Sequence, residues 1–203
     1  MTTPNTPQKH IRRARAEDVR AIVDIKADFG PGVQESRPFY EERIPQTVIV
    51  ESGGLAVAYA IWHDEVFTDT SAAPKRNRTL TEVHVHREHR RRGFGRAAVD
   101  GVGWILLDDA QAGRHPDRVL MTSTPTHNLN GQEFLDAIDF VHGGSVEYPG
   151  VGMGRMERYY SFRELDQYPP SPDNLPDGMT VPPTDAPSTV PPPASQGMGR
   201  AWV

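Results

Sequence analysis

The chain has 203 residues and carries 22 basic and 27 acidic side chains, for a formal net charge of −5. It has no cysteine, which excludes a disulfide scaffold, a thiolate zinc site, an iron–sulfur cluster and a cysteine nucleophile. No apolar core precedes Asp18 and the longest apolar run is Leu55 to Trp62, far short of the roughly 20 residues of a membrane helix, so the expectation is a cytoplasmic protein with no membrane contact, and its mild acidity argues against nucleic acid as a partner.

Residues 1–9 read as a short flexible lead. Ile11 to Ala14 suits a strand, and Ala16 opens a helical pattern with Val19, Ile22, Val23 and Ile25 on one side. Phe39 to Ile44 is a weak second helix stopped by Pro45. Thr47 to Glu51 and Leu55 to Val66 are strands joined at Ser52-Gly53-Gly54, a hairpin. Phe67 to Thr79 is polar and reads as a loop. Leu80 to Val85 is a strand, Gly95 to Ala112 a helix, Arg118 to Ser123 a strand and Asn130 to Ile138 a helix. Val146 to Tyr148 and Met156 to Phe162 close the sheet. The order β-α-α-β-β-β-α-β-α-β-β predicts an α/β (α+β) domain over residues 10–168, with a mixed central sheet flanked by helices on both faces. Residues 169–203 hold ten of the 19 prolines. With so few apolar residues to offset ordering entropy, they read as a disordered tail; a polyproline ligand for a partner is the alternative.

The segment Leu80 to Val99 carries the chemistry. A strand ends at Val85, then Arg90-Arg91-Arg92-Gly93-Phe94-Gly95-Arg96 leads straight into a helix. Glycines allow a tight turn and close approach of a ligand to the backbone. The first helical turn presents unpaired N–H groups with partial positive charge behind them. Together they form a phosphate cradle, and Arg87, Arg90, Arg91, Arg92 and Arg96 gather around it in an otherwise acidic chain. The bland alternative is a glycine turn with solvated arginines. GxxxxGK[ST] is absent, and so is the third glycine of GxGxxG.

The run Arg90-x-x-Gly93-x-Gly95, after Val83-His84-Val85 and before a helix, resembles the acyl-CoA signature [QR]-x-x-G-x-[GA] of the GNAT N-acetyltransferase superfamily. Val119 to Ser123, then Asn128, then a helix ending at Asp139-Phe140 continue the resemblance, which spans about residues 10 to 165. It implies acetyl-CoA as cosubstrate and no metal. Backbone groups at Val83 and Val85, flanking His84, would bond the pantetheine arm as an added pseudo-strand. The amides from Arg91 through Arg92, Gly93, Phe94 and Gly95 to Arg96 would hold the diphosphate. Arg90 would steady the loop, and Asn128 would contact the pantetheine.

Transfer to an amine needs a base, donors for developing negative charge, and an acid for the thiolate. Glu82 is the candidate base, with a structural carboxylate as its alternative. His84 shares its strand face and titrates near neutrality; its alternative is a half-buried strand histidine. The family's usual acid is a tyrosine five residues before the final phenylalanine; here that position is Leu135, with Phe134 before it, and Asp139 replaces the glycine of Gly-Phe. Tyr148, Tyr159, Tyr160, Ser123 and Thr124 are the remaining acid candidates. Asp28, Glu35, Glu41 and Glu42 are candidate attractors of a cationic acceptor, or plain surface acidity. The acceptor surface is expected from Asp28 to Tyr40, from the loop 68–78 and from 145–160. His84, His86, Glu88 and His89 lack metal-ligand spacing. Asn77-Arg78-Thr79 matches a glycosylation sequon that only a secreted protein would use. Trp62, Phe67 and Trp104 read as core or cleft wall. The expectation is an N-acetyltransferase acting on a small-molecule or peptide amine, with a homodimer allowed. A module that holds CoA without chemistry is the alternative, and an acetylase of aminoacyl-tRNA is disfavoured by the negative charge.

Overall fold

Alternation along the central strands decides which side of the sheet each helix covers. In the computed structural model, residues 9–28, 37–67, 75–114, 119–149 and 155–165 are described. The elements are β1 (Lys9–Arg13), α1 (Val19–Ala27), α2 (Arg37–Arg43), β2 (Thr47–Ser52), β3 (Leu55–Phe67), β4 (Lys75–Val85), α3 (Phe94–Gln111), β5 (Val119–Pro125), α4 (Leu129–Ala137), β6 (Val141–Pro149) and β7 (Arg155–Glu164). The strands form one sheet in the order β1-β2-β3-β4-β5-β7-β6. Only the β4–β5 pair is parallel among these neighbours. This is the expected mixed sheet, with the expected element order.

Val48 and Val50 point to one face and Ile49, between them, to the other, and all three are fully buried. On the first face Val48, Val50, Ala58, Ala60 and Trp62 meet α3 through Val99, Val102, Ile105 and Leu106. On the second, Ile49, Tyr59 and Ile61 meet Val19, Ile22 and Ile25 of α1 and Tyr40 of α2. Trp62 and Trp104 are core residues, as expected. One polar tie joins the edge of the sheet to the start of α1. Arg12 donates to Asp18 at 2.7 and 2.8 Å and to Glu51 at 2.6 and 2.9 Å.

Two strands begin earlier than their sequences suggest. The polar stretch from Lys75 is not loop but the first half of β4, because the 13-residue β3 offers it a pairing edge as far as Phe67↔Lys75. Arg78 points inward there, 4% exposed, and donates to the Leu106 carbonyl at 3.0 Å. Likewise β6 starts at Val141 and absorbs Gly143-Gly144 at a register shift. Lys9 belongs to β1 rather than to a flexible lead. The rest of that lead, residues 68–74 of the expected loop, and the proline-rich tail lie outside the described residues. No helix among the described residues is long and apolar enough to cross a membrane.

The parallel pairing is short. It runs from Arg78↔Leu120 to Leu80↔Thr122 and stops. Beyond it β4 keeps only β3 as a neighbour and β5 keeps only β7. The sheet therefore opens between the C-terminal ends of its two parallel strands.

Candidate active site

A bulge aims the β4 backbone into this opening. Ile61 pairs with Glu82 and the next residue, Trp62, with Leu80, so Thr81 is the extra residue. Its hydroxyl donates to the Ile61 carbonyl at 3.1 Å. Before the bulge, the Leu80 carbonyl faces β5 and accepts from the Thr122 hydroxyl at 2.9 Å. After it, His86 N–H faces β3 and donates to the Val57 carbonyl at 2.9 Å. Counting back by alternation, Val85 and Val83 face away from β3, into the gap. Strict alternation from Leu80 would have turned them the other way. The opening is a cleft of about 260 Å³ lined by β4 from Leu80 to His84, by Thr122 to Pro125 of β5, and by Asn128, Gly131, Phe134 and Leu135.

Beside the cleft, across the Phe134 ring, the chain turns from β4 into α3. Gly93 has φ +77° and Arg91 φ +59°. Two left-handed residues so close together curl successive N–H groups toward a common point, an arrangement suited to anions. Among the described residues, the amides of Arg91 to Arg96 meet no acceptor in the protein; the helical ladder begins where Ala97 donates to the Gly93 carbonyl at 3.1 Å. A Cβ on Gly93 would lie 2.7 Å from Lys9 Nζ, and one on Gly95 would lie 3.1 Å from the Phe134 ring. The second contact packs the loop directly on α4. Lys9 Nζ and the Arg92 guanidinium both stand over the Phe94 ring, at 5.4 and 5.8 Å. Six engageable amides, two nearby cations and an adjoining cleft that shares Phe134 fit the diphosphate and arm of an acyl-CoA.

The other arginines hold the loop in place. Arg90 Nε donates to the Val85 carbonyl at 3.1 Å. The Arg96 guanidinium bonds the Ala137 carbonyl and, at 3.3 Å, Asp139. Arg87 N–H donates to Asp28 at 3.1 Å, and His86 approaches the same carboxylate at 3.4 Å. That amide hydrogen bond, with burial opposing it, holds Asp28 below the usual carboxylate range. Asp28 thus anchors the turn. Glu41 pairs with Arg37 along α2. Glu35 lies outside the described residues.

On the α1 side of β4, Glu82 and His84 meet two groups that the sequence did not single out. Tyr59 donates to Glu82 at 2.8 Å, and Lys26 Nζ lies 3.2 Å from Glu82 and 3.1 Å from His84 Nε2. His84 Nε2 is also 3.5 Å from Glu82. Burial pushes the Glu82 carboxyl up, but the His84 contact, the Lys26 charge and the Tyr59 hydroxyl outweigh it and hold it low. Burial, aided by the Lys26 charge and opposed by Glu82, holds the His84 imidazole below the ordinary histidine range. Near neutral pH Glu82 is therefore anionic and His84 neutral.

On the opposite face, Asn128 caps α4. Its Oδ1 accepts from Gly131 N–H at 3.1 Å and its Nδ2 reaches Thr124 Oγ1 at 3.3 Å. Leu135, at the expected acid position, is an apolar wall 5% exposed. Tyr159 stacks near His142 at 5.9 Å and does not line the cleft. The side chains of Tyr148 and Tyr160 are outside the described residues. No cluster of three or more metal-ligating side chains occurs among the described residues.

No protein-family model and no curated protein matches the sequence. Many solved structures match the fold. A GNAT-family acetyltransferase from Bacillus cereus aligns over 77% of this chain and 97% of its own, with a TM-score of 0.56 and 19% identity. A ribosomal-protein-alanine N-acetyltransferase from Escherichia coli aligns over 78% and 94%, at 0.54 and 18%. Arabidopsis thaliana NAA60 in complex with acetyl-CoA aligns over 77% and 99%, at 0.58 and 12%. The fold is that of the GNAT acetyltransferases.

Within this GNAT fold Glu82, Val83 and His84 line the cleft on one side and Asn128 on the other. The Arg91–Arg96 loop lies beside it, with Gly95 against Phe134 and Val85, and Arg90 tied to the Val85 carbonyl. What sequence reasoning missed was contributed by elements distant in the chain. Lys26 was legible only as a basic residue in the last turn of α1, and Tyr59 only as an aromatic in a core strand.

Proposed function

We propose that the protein transfers an acetyl group from acetyl-CoA to a primary amine of a small molecule or peptide. The observation that carries this reading is the cleft between β4 and β5, beside which, packed on Phe134 of its lining, lies a loop of six backbone amides without backbone acceptors. When bound, acetyl-CoA would supply the thioester carbonyl and the thiol leaving group. The Arg91–Arg96 amides receive the diphosphate, aided by Lys9 and Arg92. Val83 and Val85 present their backbone groups to the pantetheine arm. His84 takes the proton from the attacking amine, for its imidazole is neutral whereas the Glu82 carboxylate is ion-paired with Lys26 and held by Tyr59. Protonated His84 can no longer accept from Lys26 and turns its Nε2–H to Glu82, already 3.5 Å away. Glu82 thereby stabilises the imidazolium, and the amine acceptor enters from the α1–α2 side, where this cluster lies.

Release of free thiol from acetyl-CoA tests the reading across a panel of amines. The expected result is turnover with at least one amine, reduced by about 100-fold in His84→Gln, the scale of general-base catalysis. CoA binding without turnover on any amine would favour the reading in which the fold holds CoA and does no chemistry. Failure to bind CoA would remove both.

A further inference from the structure

Resting on that reading, we infer that the Thr124 hydroxyl is the hydrogen-bond donor to the departing thiolate. Cleavage of a thioester leaves negative charge on sulfur, and the wall that faces it holds Leu135, which has no proton to give. Of the cleft hydroxyls, that of Thr122 is engaged with the Leu80 carbonyl at 2.9 Å. The Thr124 hydroxyl is different. Gly131 N–H donates to Asn128 Oδ1 at 3.1 Å and fixes which way the amide points, so the group 3.3 Å from Thr124 Oγ1 is the Asn128 NH₂. An NH₂ only donates, so Thr124 accepts from it. The Thr124 proton then points elsewhere and meets no acceptor among the described residues. Thr124 is 7% exposed and lines the cleft, so a ligand is the natural acceptor for that proton. Asn128 polarises and orients the hydroxyl as well as capping α4, which gives it a positioning role.

In the transfer step the amine nitrogen bonds to the carbonyl carbon and the carbon–sulfur bond breaks. The amine proton passes to His84, and sulfur leaves as a thiolate that accepts a hydrogen bond from Thr124 without taking its proton. The hydroxyl is too weak an acid to transfer the proton outright; it stabilises charge, as a donor in an oxyanion hole does.

The test uses free CoA and the full-length protein, with Thr124→Val as an isosteric change and Thr124→Ser as the conservative one. Thiolate absorbance in the far ultraviolet, followed against pH in the bound complex, reads the thiol pKa directly. A hydrogen bond to a charged group is worth about 1.5–3 kcal/mol, so Thr124→Val raises the bound thiol pKa by about one to two units. Thr124→Ser restores it. In turnover Thr124→Val lowers kcat by about 10- to 100-fold with KM for acetyl-CoA little changed, and the deficit shrinks with acyl donors whose thiols are more acidic. If CoA binds equally to the native protein and Thr124→Val, with the same thiol pKa, the inference is overturned while the acyl-CoA reading stands. If CoA does not bind the native protein, both fall.

Discussion

At the residue scale, what matters is which charges face one another across buried contacts. Lys26 is the clearest case. It sits between Glu82 and His84, with its side chain 12% exposed, and its charge lowers both their pKa values. Lys26→Met should therefore raise the His84 pKa, read by NMR titration of the ring protons. If His84 is the base, the acid limb of the kcat/KM profile lies below the ordinary histidine range in the native protein and moves to higher pH in Lys26→Met. An unmoved limb would show that another group takes the proton. Asp18 behaves differently. Burial raises its carboxyl, but the Arg12 bonds and the Arg15 N–H outweigh that and hold it low in the folded state. A depressed carboxyl stabilises the fold above its unfolded pKa, about 3.9, and that stability is lost as pH falls through the folded value. Asp18→Asn should cost about 2 kcal/mol at neutral pH and much less in strong acid, as urea midpoints across pH would record.

At the element scale, the site depends on one bulge and one turn. The Thr81 bulge decides that Val83 and Val85 face the gap, and the left-handed Gly93 lets the chain swing from β4 into α3. A branched side chain at Gly93 carries a left-handed penalty of roughly 1–2 kcal/mol, and its Cβ would press on Lys9 Nζ at 2.7 Å. Gly93→Val should weaken CoA binding by about 10-fold or more by calorimetry, with the melting temperature falling only a few degrees; unchanged affinity would contradict the cradle. The glycine spacing, the strand before it and the helix after it were legible because each rests on local sequence. The bulge was not, since it shows only in which β3 residue each β4 residue opposes. Nor was Arg91 at φ +59°, because arginine carries no turn preference to read. The early start of β4 was hidden because Lys75 to Thr79 is polar, and its pairing with β3 overrode that composition.

At the scale of the whole molecule, two cores clamp one sheet and leave it open where β4 and β5 part. The buried residues of both cores, among those described, run from Ile11 to Leu165. Removing residues 169–203 should leave the melting temperature nearly unchanged, and a large drop would mean that those residues pack on the domain. The element order was legible from periodicity, and the place of Arg90-x-x-Gly93-x-Gly95 within it from the resemblance of that run to the GNAT signature. The cluster around Glu82 was half legible, because Glu82 and His84 share a strand while Lys26 and Tyr59 join them only through the packing of α1 and β3. The central claim is that the amides from Arg91 to Arg96 hold the diphosphate of CoA. Amide hydrogen exchange with and without saturating CoA tests it most directly. Strong protection of those six amides, greater than elsewhere in α3, is the predicted result; saturating CoA that leaves their exchange unchanged would contradict it.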